Sequence, residues 1–348
     1  MMARLISTIY SGAVNERQHG RENEMNAPPS DGRRVPVEDL RDFLVSIFAA
    51  VPVPAEDAML IADLLIDTEL RGVVSHGVLQ VERYVTNFKE GMTNTHPEVK
   101  VLREGPTTAA LSAEGGLGIV TGMQAMQMAM DRAREFGMGA VTLVYHDHIG
   151  SAGKYVRMAL RENMVGICLS GRSAAPKGYS GSVRGSIQGS PPFCIGAPAG
   201  PDQPDFMIDF ATGMPWDEES FAKMPEVYFR GLGLAHAANI LSGTLGGQML
   251  AEYDRQKTRY QRADQSSFYL ALAIDSFVSL EAFKADMDYL MEQVAEMEPY
   301  PGFGPAQLPG GPEWYSEREY ARDGIPISQD AVLGLEKSAA LVGATVPW

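Results

Sequence analysis

The order of strand-like and helix-like segments is the feature that most constrains how this chain can fold. Between Gly91 and Phe210, short apolar runs bounded by turn residues follow one another, and one long helical stretch, Gly122 to Phe136, interrupts them. A doubly wound parallel sheet needs strands that alternate regularly with helices. This chain lacks that alternation, which argues against such a sheet. The runs predict six strands, at 99–102, 107–111, 139–144, 165–169, 193–195 and 207–210.

Helical segments lie on both sides of this strand-rich part. Apolar residues recur at helical spacing from Val35 to Gly77, where Pro52 and Pro54 separate two helices. The Ser/Gly-rich stretch 171–189 reads as an extended loop. The remaining predicted elements are a helical block at 225–260, a strand at 268–274, a helix at 280–297 and a final helix from residue 329. The predicted fold class is therefore α/β, of the α+β-like kind.

Charge and cysteine content limit the partners and the compartment. The chain has 29 Lys and Arg against 44 Asp and Glu, a formal net charge of −15. Such a surface repels phosphate backbones and anionic lipid, so we expect neither a nucleic acid nor a membrane as partner. Two cysteines, Cys168 and Cys194, cannot form a disulfide framework, which indicates a reducing compartment, the cytoplasm. Residues 1–34 are polar and patternless, and we expect a disordered N-terminal tail.

Histidines are concentrated at the predicted ends of elements. Of six in the chain, His76 follows a helix, and His146 and His148 follow a strand. Imidazole exchanges protons near neutral pH, so these positions suit acid/base chemistry. Three histidines also suit a metal ion, although no carboxylate at ligand spacing supports that interpretation and we predict no metal. Local packing or capping remains the ordinary alternative for each of them.

Two further motifs lie at strand ends. Gly116, Gly118 and Gly122 precede a helix, and Asp147 ends the next strand, but the glycine spacing is one residue too long for a dinucleotide fingerprint. Asp209 begins the run Asp209 to Thr212, where backbone amides suit phosphate and the carboxylate could orient an imidazole. An aspartate that caps the following turn is the alternative.

Taken together, several motifs resemble the malate/L-lactate dehydrogenase family, which has no Rossmann fold and includes ureidoglycolate and sulfolactate dehydrogenases and diketogulonate reductase. The resemblance runs from about Val35 to the C-terminus. The matching segments follow one another in the family's order, which makes them more specific together than singly. They are 70–77 (LRGVVSHG), 148–155 (HIGSAGKY), 189–192 (GSPP), 208–212 (IDFAT), 230–234 (RGLGL), 241–247 (LSGTLGG), 309–313 (PGGPE) and 324–326 (GIP).

The resemblance implies a largely antiparallel central sheet, a helical second domain and a homodimer. It assigns 35–90 with 225–348 to a helical substrate and dimerisation domain, and 91–224 to a sheet-containing cofactor domain. It also implies site residues. The catalytic set is His76 as proton donor and acceptor, His148 and Asp209; the cofactor set is Asp209, Phe210, Ala211, Thr212, Arg230, Gly231 and Gly310. The predicted substrate set is Ser75 and Gln80 beside His76, Arg83 as a partial replacement for the family's carboxylate clamp if it points inward, and Ser173 in the long loop.

The chain departs from the family pattern at several of these places. Gln80 replaces the arginine that clamps a substrate carboxylate, and a neutral amide cannot supply the same charge-assisted pairing. Pro191 and Gly171 stand where asparagines are expected, and Arg230 stands for a lysine. The segment 213–225, which walls the cofactor site in the family, is shorter than the pattern by roughly 30 residues, more than ordinary loop variation.

These observations predict a dimeric oxidoreductase that transfers a hydride between NAD or NADP and a small carbonyl, 2-hydroxy or imine compound. A substrate without the usual carboxylate is compatible with Gln80. Two alternatives stay open from the sequence. One is a family member that has lost the nicotinamide and performs non-redox acid/base chemistry, such as isomerisation, cyclisation or elimination; the other is a catalytically silent subunit.

Overall fold

The computed structural model describes residues 28–29, 31–172, 191–213, 217–250, 259–299, 301 and 304–348. Most of the expected N-terminal tail, residues 1–27 and 30, lies outside the described residues. At the end of that tail, Arg33–Val35 form a short strand, β1, which pairs antiparallel with β9 (Ile325–Ile327). The ordered chain therefore begins before residue 35, because the C-terminal part offers β1 a strand partner.

The other seven described strands form one sheet in the order β2-β3-β4-β8-β5-β6-β7. Every neighbouring pair is antiparallel except β3 and β4, which are parallel and joined by a helix. This confirms the predicted largely antiparallel sheet. The strands are β2 Lys100–Glu104, β3 Thr108–Ser112, β4 Met138–His146, β5 Met164–Gly171, β6 Pro192–Ala197, β7 Phe206–Ala211 and β8 Gln265–Ala273.

Strand β8 lies in the middle of the sheet although it comes from the C-terminal third of the chain. It pairs with β4 on one side and with β5 on the other. The strand prediction at 268–274 nearly coincides with it, but the range 91–224 assigned to the sheet does not contain it. The two parts of the chain are thus joined through the centre of the sheet.

Two hydrophobic cores bury most of the described helices, although α6, α7 and α8 belong to neither core. One core joins α1, α2 and α3 with the C-terminal helices, and the other lies between the sheet and helices α4 and α5; Met123 packs against both. The described helices are α1 Val37–Ala49, α2 Ala55–Leu70, α3 Val81–Lys89, α4 Gly118–Phe136, α5 Gly153–Arg161, α6 Glu218–Lys223, α7 Pro225–Asn239, α8 Leu280–Ala295, α9 Gly311–Asp323 and α10 Gln329–Val342.

Apolar periodicity explains the first helices. In α2, Ala58, Ile61, Ala62 and Leu65 recur at helical spacing, and all four are buried. Among the helices within the described ranges, none combines the length and the apolar character that crossing a bilayer requires.

Candidate active site

Two histidines from distant parts of the chain face each other. His76 ends a 3₁₀ turn, Val74–His76, that follows α2, and His148 lies in the loop after β4. Their ring centroids are 5.5 Å apart and the ring planes are 25° from parallel. Nδ1 of His76 shares a hydrogen bond of 2.9 Å with the hydroxyl of Ser75. In the part of the chain that the structure describes, neither Nε2 atom has a hydrogen-bond partner, so both are free to meet a substrate.

A buried glutamate holds the turn that presents His76. The Oε1 atom of Glu69, near the end of α2, accepts a hydrogen bond of 2.6 Å from the backbone N–H of Val78. Gly77 leaves room for this contact, since a Cβ atom there would lie 2.0 Å from Oε1. Burial raises the pKa of Glu69 to about 7. The sequence analysis did not single out Glu69, although it stands four residues after Leu65 on the buried face of the helix.

Tyr84 holds the other imidazole. Its hydroxyl and Nδ1 of His148 share a hydrogen bond of 2.7 Å, and Tyr84 is completely buried in α3. The sequence assigns a substrate role to its neighbour Arg83 but none to Tyr84. A tyrosine on the apolar face of a helix carries no sequence signal that distinguishes a hydrogen-bonding role from ordinary packing.

Asp147 connects the His148 loop to the helical part. Its Oδ2 accepts hydrogen bonds from Asn87 at 2.9 Å and Thr93 at 2.7 Å, and its Oδ1 accepts one from the backbone N–H of His148 at 2.7 Å. Arg83 also contacts Oδ1, at 3.3 Å. With its carboxylate buried and engaged in this way, Asp147 cannot bind a ribose, so the glycine-rich turn before α4 is a structural turn.

Both imidazoles are held in their neutral form. Burial is the main cause that lowers the pKa of His148, to about 2, and the positive charges of Arg83 and Lys154 add to it. The pKa of His76 is lowered from its usual 6.5 by the same causes, burial first, then Lys154 and Arg83. The site therefore presents two uncharged rings at neutral pH.

The other predicted substrate residues surround this pair only in part. Ser75 contacts His76, but the amide nitrogen of Gln80 donates to the backbone oxygen of Ser75 at 2.8 Å and so closes its own turn. The guanidinium of Arg83 is directed to Asp147. Ser173 lies outside the described residues.

His146 does not join the pair. It is fully buried, with Nε2 at 2.8 Å from the hydroxyl of Ser267 and Nδ1 at 2.7 Å from the backbone oxygen of Asp147. It thus links β4 to β8, and burial lowers its pKa to about 4. No group of three or more potential metal ligands occurs among the residues that can be described.

The predicted cofactor run, Asp209 to Thr212, begins on β7 and contacts the start of α5 rather than the histidines. Oδ2 of Asp209, on β7, accepts a hydrogen bond of 2.7 Å from the backbone N–H of Gly153, the first residue of α5. Although Asp209 is exposed, the protein around its carboxyl group raises its pKa by desolvation. No hydrogen bond joins it to an imidazole within the described ranges, so it does not orient either ring here. Thr212 turns inward and donates twice to the oxygen of Pro191, through its N–H and its hydroxyl.

The remaining cofactor candidates are spread around the same end of the sheet. Phe210 packs against Phe193 with 5.8 Å between ring centroids, and Ala211 is exposed. Arg230 and Gly231 lie on α7, which packs against β5 and β6. Gly310 follows Pro309, whose backbone oxygen accepts a hydrogen bond from the N–H of Met207 on β7.

A cavity of about 110 Å³ opens beside Gly310. Its wall carries both signs of charge, from Arg71, Arg157 and Arg161 and from Asp205, Glu313 and Glu317. Nε of Arg71, Nε of Arg157 and Oε2 of Glu313 are buried without a hydrogen-bond partner in the described part of the chain. Buried polar atoms usually have partners. Nε of Arg71 nevertheless lies 3.5 Å from Oδ1 of Asp67, as an ion pair. Nε of Arg157 and Oε2 of Glu313 therefore suit a ligand, or ordered water, that both accepts and donates hydrogen bonds.

Comparison with known proteins identifies the family of this chain. The sequence model of one family, malate/L-lactate dehydrogenase, matches residues 35–215 and 218–336, and the interruption falls within the segment 213–225. Malate dehydrogenase from Pyrococcus horikoshii is 30% identical, covering 89% of this chain and 96% of that protein. A solved structure of malate dehydrogenase from P. horikoshii superposes with a TM-score of 0.78 at 29% identity, over 92% of this chain and 98% of that one.

Two other relatives carry related names. L-sulfolactate dehydrogenase from Methanocaldococcus jannaschii is 26% identical over 89% of this chain and 97% of that protein. Ureidoglycolate dehydrogenase (NAD(+)) from Escherichia coli K12 is 25% identical over 84% of this chain and 92% of that protein. These matches confirm the resemblance that the sequence motifs indicated, and they favour the oxidoreductase over the two alternatives. The chain belongs to the malate/L-lactate dehydrogenase family and is an oxidoreductase of that family.

Proposed function

We propose that this protein transfers a hydride between a nicotinamide cofactor and a small 2-hydroxy, carbonyl or imine compound, with His76 as proton donor and acceptor. The observation that carries the proposal is the stacked pair of His76 and His148, whose ring centroids are 5.5 Å apart and whose Nε2 atoms are both free among the described residues. When a substrate hydroxyl becomes a carbonyl, its carbon loses a hydride and its oxygen loses a proton. An uncharged imidazole accepts that proton, and an imidazolium returns it in the reverse direction.

His76 suits the proton transfer better than His148 does. A general base works best when its pKa lies near the working pH. The pKa of His148, about 2, keeps this ring uncharged throughout the physiological range, and Tyr84 fixes its orientation. His76 is bound only through Nδ1 to Ser75 and stands on a short turn. His148 then orients the substrate oxygen while His76 takes the proton.

The cofactor, when bound, supplies the hydride acceptor or donor. We propose that Asp209, Phe210, Ala211, Thr212, Arg230, Gly231 and Gly310 hold it. The cavity beside Gly310 supports this, because its guanidinium groups, although they pair with Asp67 and Glu317, suit phosphate oxygens, and an unpartnered carboxylate oxygen suits a ribose hydroxyl. These residues therefore suit the phosphate and ribose groups of a nicotinamide dinucleotide rather than the whole molecule, and both NAD and NADP belong to the proposal.

The substrate is small and does not depend on a clamped carboxylate. The relatives are named for malate, sulfolactate and ureidoglycolate, which are small hydroxy acids. In this chain the amide of Gln80 is engaged with Ser75, and the guanidinium of Arg83 is engaged with Asp147. Ser173 stays in the proposal as a substrate contact. Because both side chains are engaged within the protein, neither offers an unpaired cation to a substrate carboxylate, which favours compounds that are uncharged next to the reacting carbon.

Binding and turnover test this function separately. We expect NADH or NADPH to bind in calorimetry, and we expect 2-hydroxy compounds offered with the oxidised cofactor to produce reduced nicotinamide. Acids and their amides should be offered as matched pairs. Absence of NADH and NADPH binding at millimolar concentration would remove the dehydrogenase proposal, and binding without turnover of any compound in the set would remove the substrate class.

We also propose that the protein works as a homodimer in the cytoplasm. The compartment rests on the two cysteines, which leave no disulfide framework that requires an oxidising environment. The dimer rests on an exposed apolar face along α7 and the turns that follow it. Six large apolar side chains on this face are exposed by 38% to 63%: Phe229, Leu234, Ile240, Leu245, Met249 and Leu250.

A further inference from the structure

Lys154 is a buried lysine without a partner of opposite charge at contact distance. It is the second residue of α5, and only 2% of it is exposed. Among the described residues, its ammonium group donates one hydrogen bond, a long one of 3.4 Å, to the backbone oxygen of Ile149. No carboxylate of the described residues forms an ion pair with it. A buried charge that lacks such a pair destabilises the fold, so its presence here calls for a function.

The local structure makes room for this ammonium group. Gly150 has a φ of +69°, and a Cβ atom on it would lie 2.2 Å from Nζ of Lys154. The first turn of a helix also disfavours a cation, because the helix dipole is positive there. The carboxylate that occupies this helix end, Asp209, binds the N–H of Gly153 instead of the lysine. The chain thus keeps the positive charge at Lys154 against both burial and the helix dipole.

The ammonium group lies next to the histidine pair. Ile149, its hydrogen-bond partner, directly follows His148. The positive charge of Lys154 acts on both imidazoles and lowers the pKa of His76 and of His148. The other charged or titratable groups that act on the lysine are Asp67 on α2, Arg157 on α5, Asp209 on β7 and Cys168 on β5. Burial outweighs these and lowers the pKa of Lys154 to about 8, so it remains mostly protonated at neutral pH.

We propose that the buried ammonium group of Lys154 is the fixed positive charge of this active site and stabilises the negative charge that develops on the substrate oxygen beside His76 and His148. The inference rests on the proposed function for its substrate. Lys154 acts through space, as a positioning residue, since it is too buried to touch a substrate. It supplies the cationic character that Gln80 does not provide, and its charge acts through space on the reacting oxygen rather than by pairing with a substrate carboxylate.

The test compares Lys154→Met with Lys100→Met. The control removes the same charge from an exposed lysine on β2 that pairs with Glu114. In Lys154→Met we expect the NMR titration midpoint of His76 to rise by about one pH unit, because the imidazolium no longer faces the ammonium. We expect kcat to fall about tenfold or more and the acidic limb of the kcat/KM profile to move to higher pH. Lys100→Met should change none of these.

Several outcomes would overturn the inference. Unchanged histidine titrations in a folded Lys154→Met protein would do so, and so would an equal loss of kcat at every pH without a shift of the limb. The NMR titration needs neither cofactor nor substrate, so it tests the effect of the Lys154 charge on the imidazoles separately from turnover. If the wild type transfers no hydride, the proposed function fails whatever the titration shows. Lys154→Gln, which is also uncharged, takes its place if the methionine variant does not fold.

Discussion

At the scale of single residues, the site depends on two imidazoles that share one charged environment. His76 and His148 lie too close together, and too deeply among Arg83 and Lys154, for both to carry a proton. The pair therefore divides its work: the ring with the more strongly lowered pKa stays uncharged, and the other exchanges the proton. This division of roles predicts how activity depends on pH and which substitutions lower it.

The first prediction concerns the pH dependence of substrate oxidation. His76 must be uncharged to accept a proton, and its pKa is lowered, so the uncharged form persists below the usual 6.5. We expect kcat/KM for oxidation to stay level down to a pH below 6.5 and to fall only in more acidic solution. His76→Gln should lower kcat by roughly 10²- to 10⁴-fold, while His236→Gln, an exposed histidine on α7, should not. An acidic limb above pH 6.5, or a His76→Gln enzyme with full activity, contradicts this assignment.

The second prediction concerns Gln80. An arginine at this position can form a charge-assisted hydrogen bond with a substrate carboxylate, worth roughly 1.5–3 kcal/mol. We therefore expect Gln80→Arg to raise the ratio of kcat/KM for a hydroxy acid over its amide by about tenfold or more. Gln80→Met, which also removes the hydrogen bond to Ser75 but adds no charge, is the matched control. Equal ratios in the two variants would show that position 80 does not face the substrate.

The residues of the site differ in how readily sequence reasoning finds them. His76 and His148 stand out because histidine is scarce in this chain and both follow the ends of elements. Tyr84 and Glu69 do not stand out, because each lies on the apolar face of a helix. Tyr84 acquires its role from His148, which is distant in sequence, and Glu69 acquires its role from Val78 in the turn that follows α2. Helical spacing alone could have placed Glu69 inside the core, where an unpaired carboxylate is unusual.

At the scale of elements, the turn between α2 and α3 connects stability to the site. This turn carries Ser75, His76 and Gly77, and Glu69 fastens it through the N–H of Val78. The fastening atom is a carboxylate with a single hydrogen bond in a buried setting. Its protonation state therefore affects the stability of the fold.

The third prediction is a change of stability with pH. The pKa of Glu69 rises from 4.5 in the unfolded chain to about 7 in the folded one. Its stabilising contribution is thus complete below pH 4.5 and is lost as the pH rises through 7, a change on the order of 3 kcal/mol. Glu69→Gln keeps an acceptor for Val78 and cannot ionise. As the pH rises from 4.5 to 8, the wild type loses this contribution and Glu69→Gln does not. We therefore expect the free energy of unfolding of the variant minus that of the wild type to increase by that amount.

Urea denaturation at the two pH values measures this change. Glu56→Gln, an exposed position on the same helix, is the control and should follow the wild type at both. If Glu69→Gln is as sensitive to pH as the wild type, Glu69 is not the titrating group. If the variant is less stable at both pH values by a similar amount, the carboxylate is a pure structural acceptor.

The elements also differ in how far they could be predicted. The strands at 139–144 and 165–169 lie within β4 and β5, and the long helix begins at Gly118, four residues before its predicted start, because Leu117 to Thr121 already pack in the core. Pairing was not predictable in the same way. Local sequence identifies β8 as a strand, but its place between β4 and β5 depends on contacts across more than 90 residues of chain.

At the scale of the whole molecule, the site lies where the two cores meet. His76 stands on the turn after α2, and His148 lies in the loop after β4. Asp147 fastens this loop to the helical part through Asn87 and Thr93. A site built in this way depends on the packing of both parts. Any contact that fixes one part against another copy of the chain can therefore affect the active site.

The fourth prediction concerns that contact. The apolar face on α7 and its following turns exposes Leu245 by 61% and Met249 by 63%, and two copies of the chain can cover it. In light scattering we expect a mass near twice the 37.7 kDa of one chain. Because each chain carries a net charge of −15, added salt should strengthen the association by screening repulsion. The double variant Leu245→Lys with Met249→Lys should dissociate the dimer, since burying two lysines in an apolar contact is unfavourable.

Phe277→Lys is the control that distinguishes loss of a specific interface from a general loss of exposed apolar surface. Phe277 is exposed by 72% and lies outside α7 and its following turns, so its replacement should leave the mass unchanged. A wild type that stays monomeric at micromolar concentration excludes the dimer, and a double variant that stays dimeric moves the interface to another face. Suppose that the double variant becomes monomeric and loses activity, while Phe277→Lys keeps the dimeric mass and the activity. The second copy then supports the active site, because the surface substitutions leave both imidazoles and Lys154 in place.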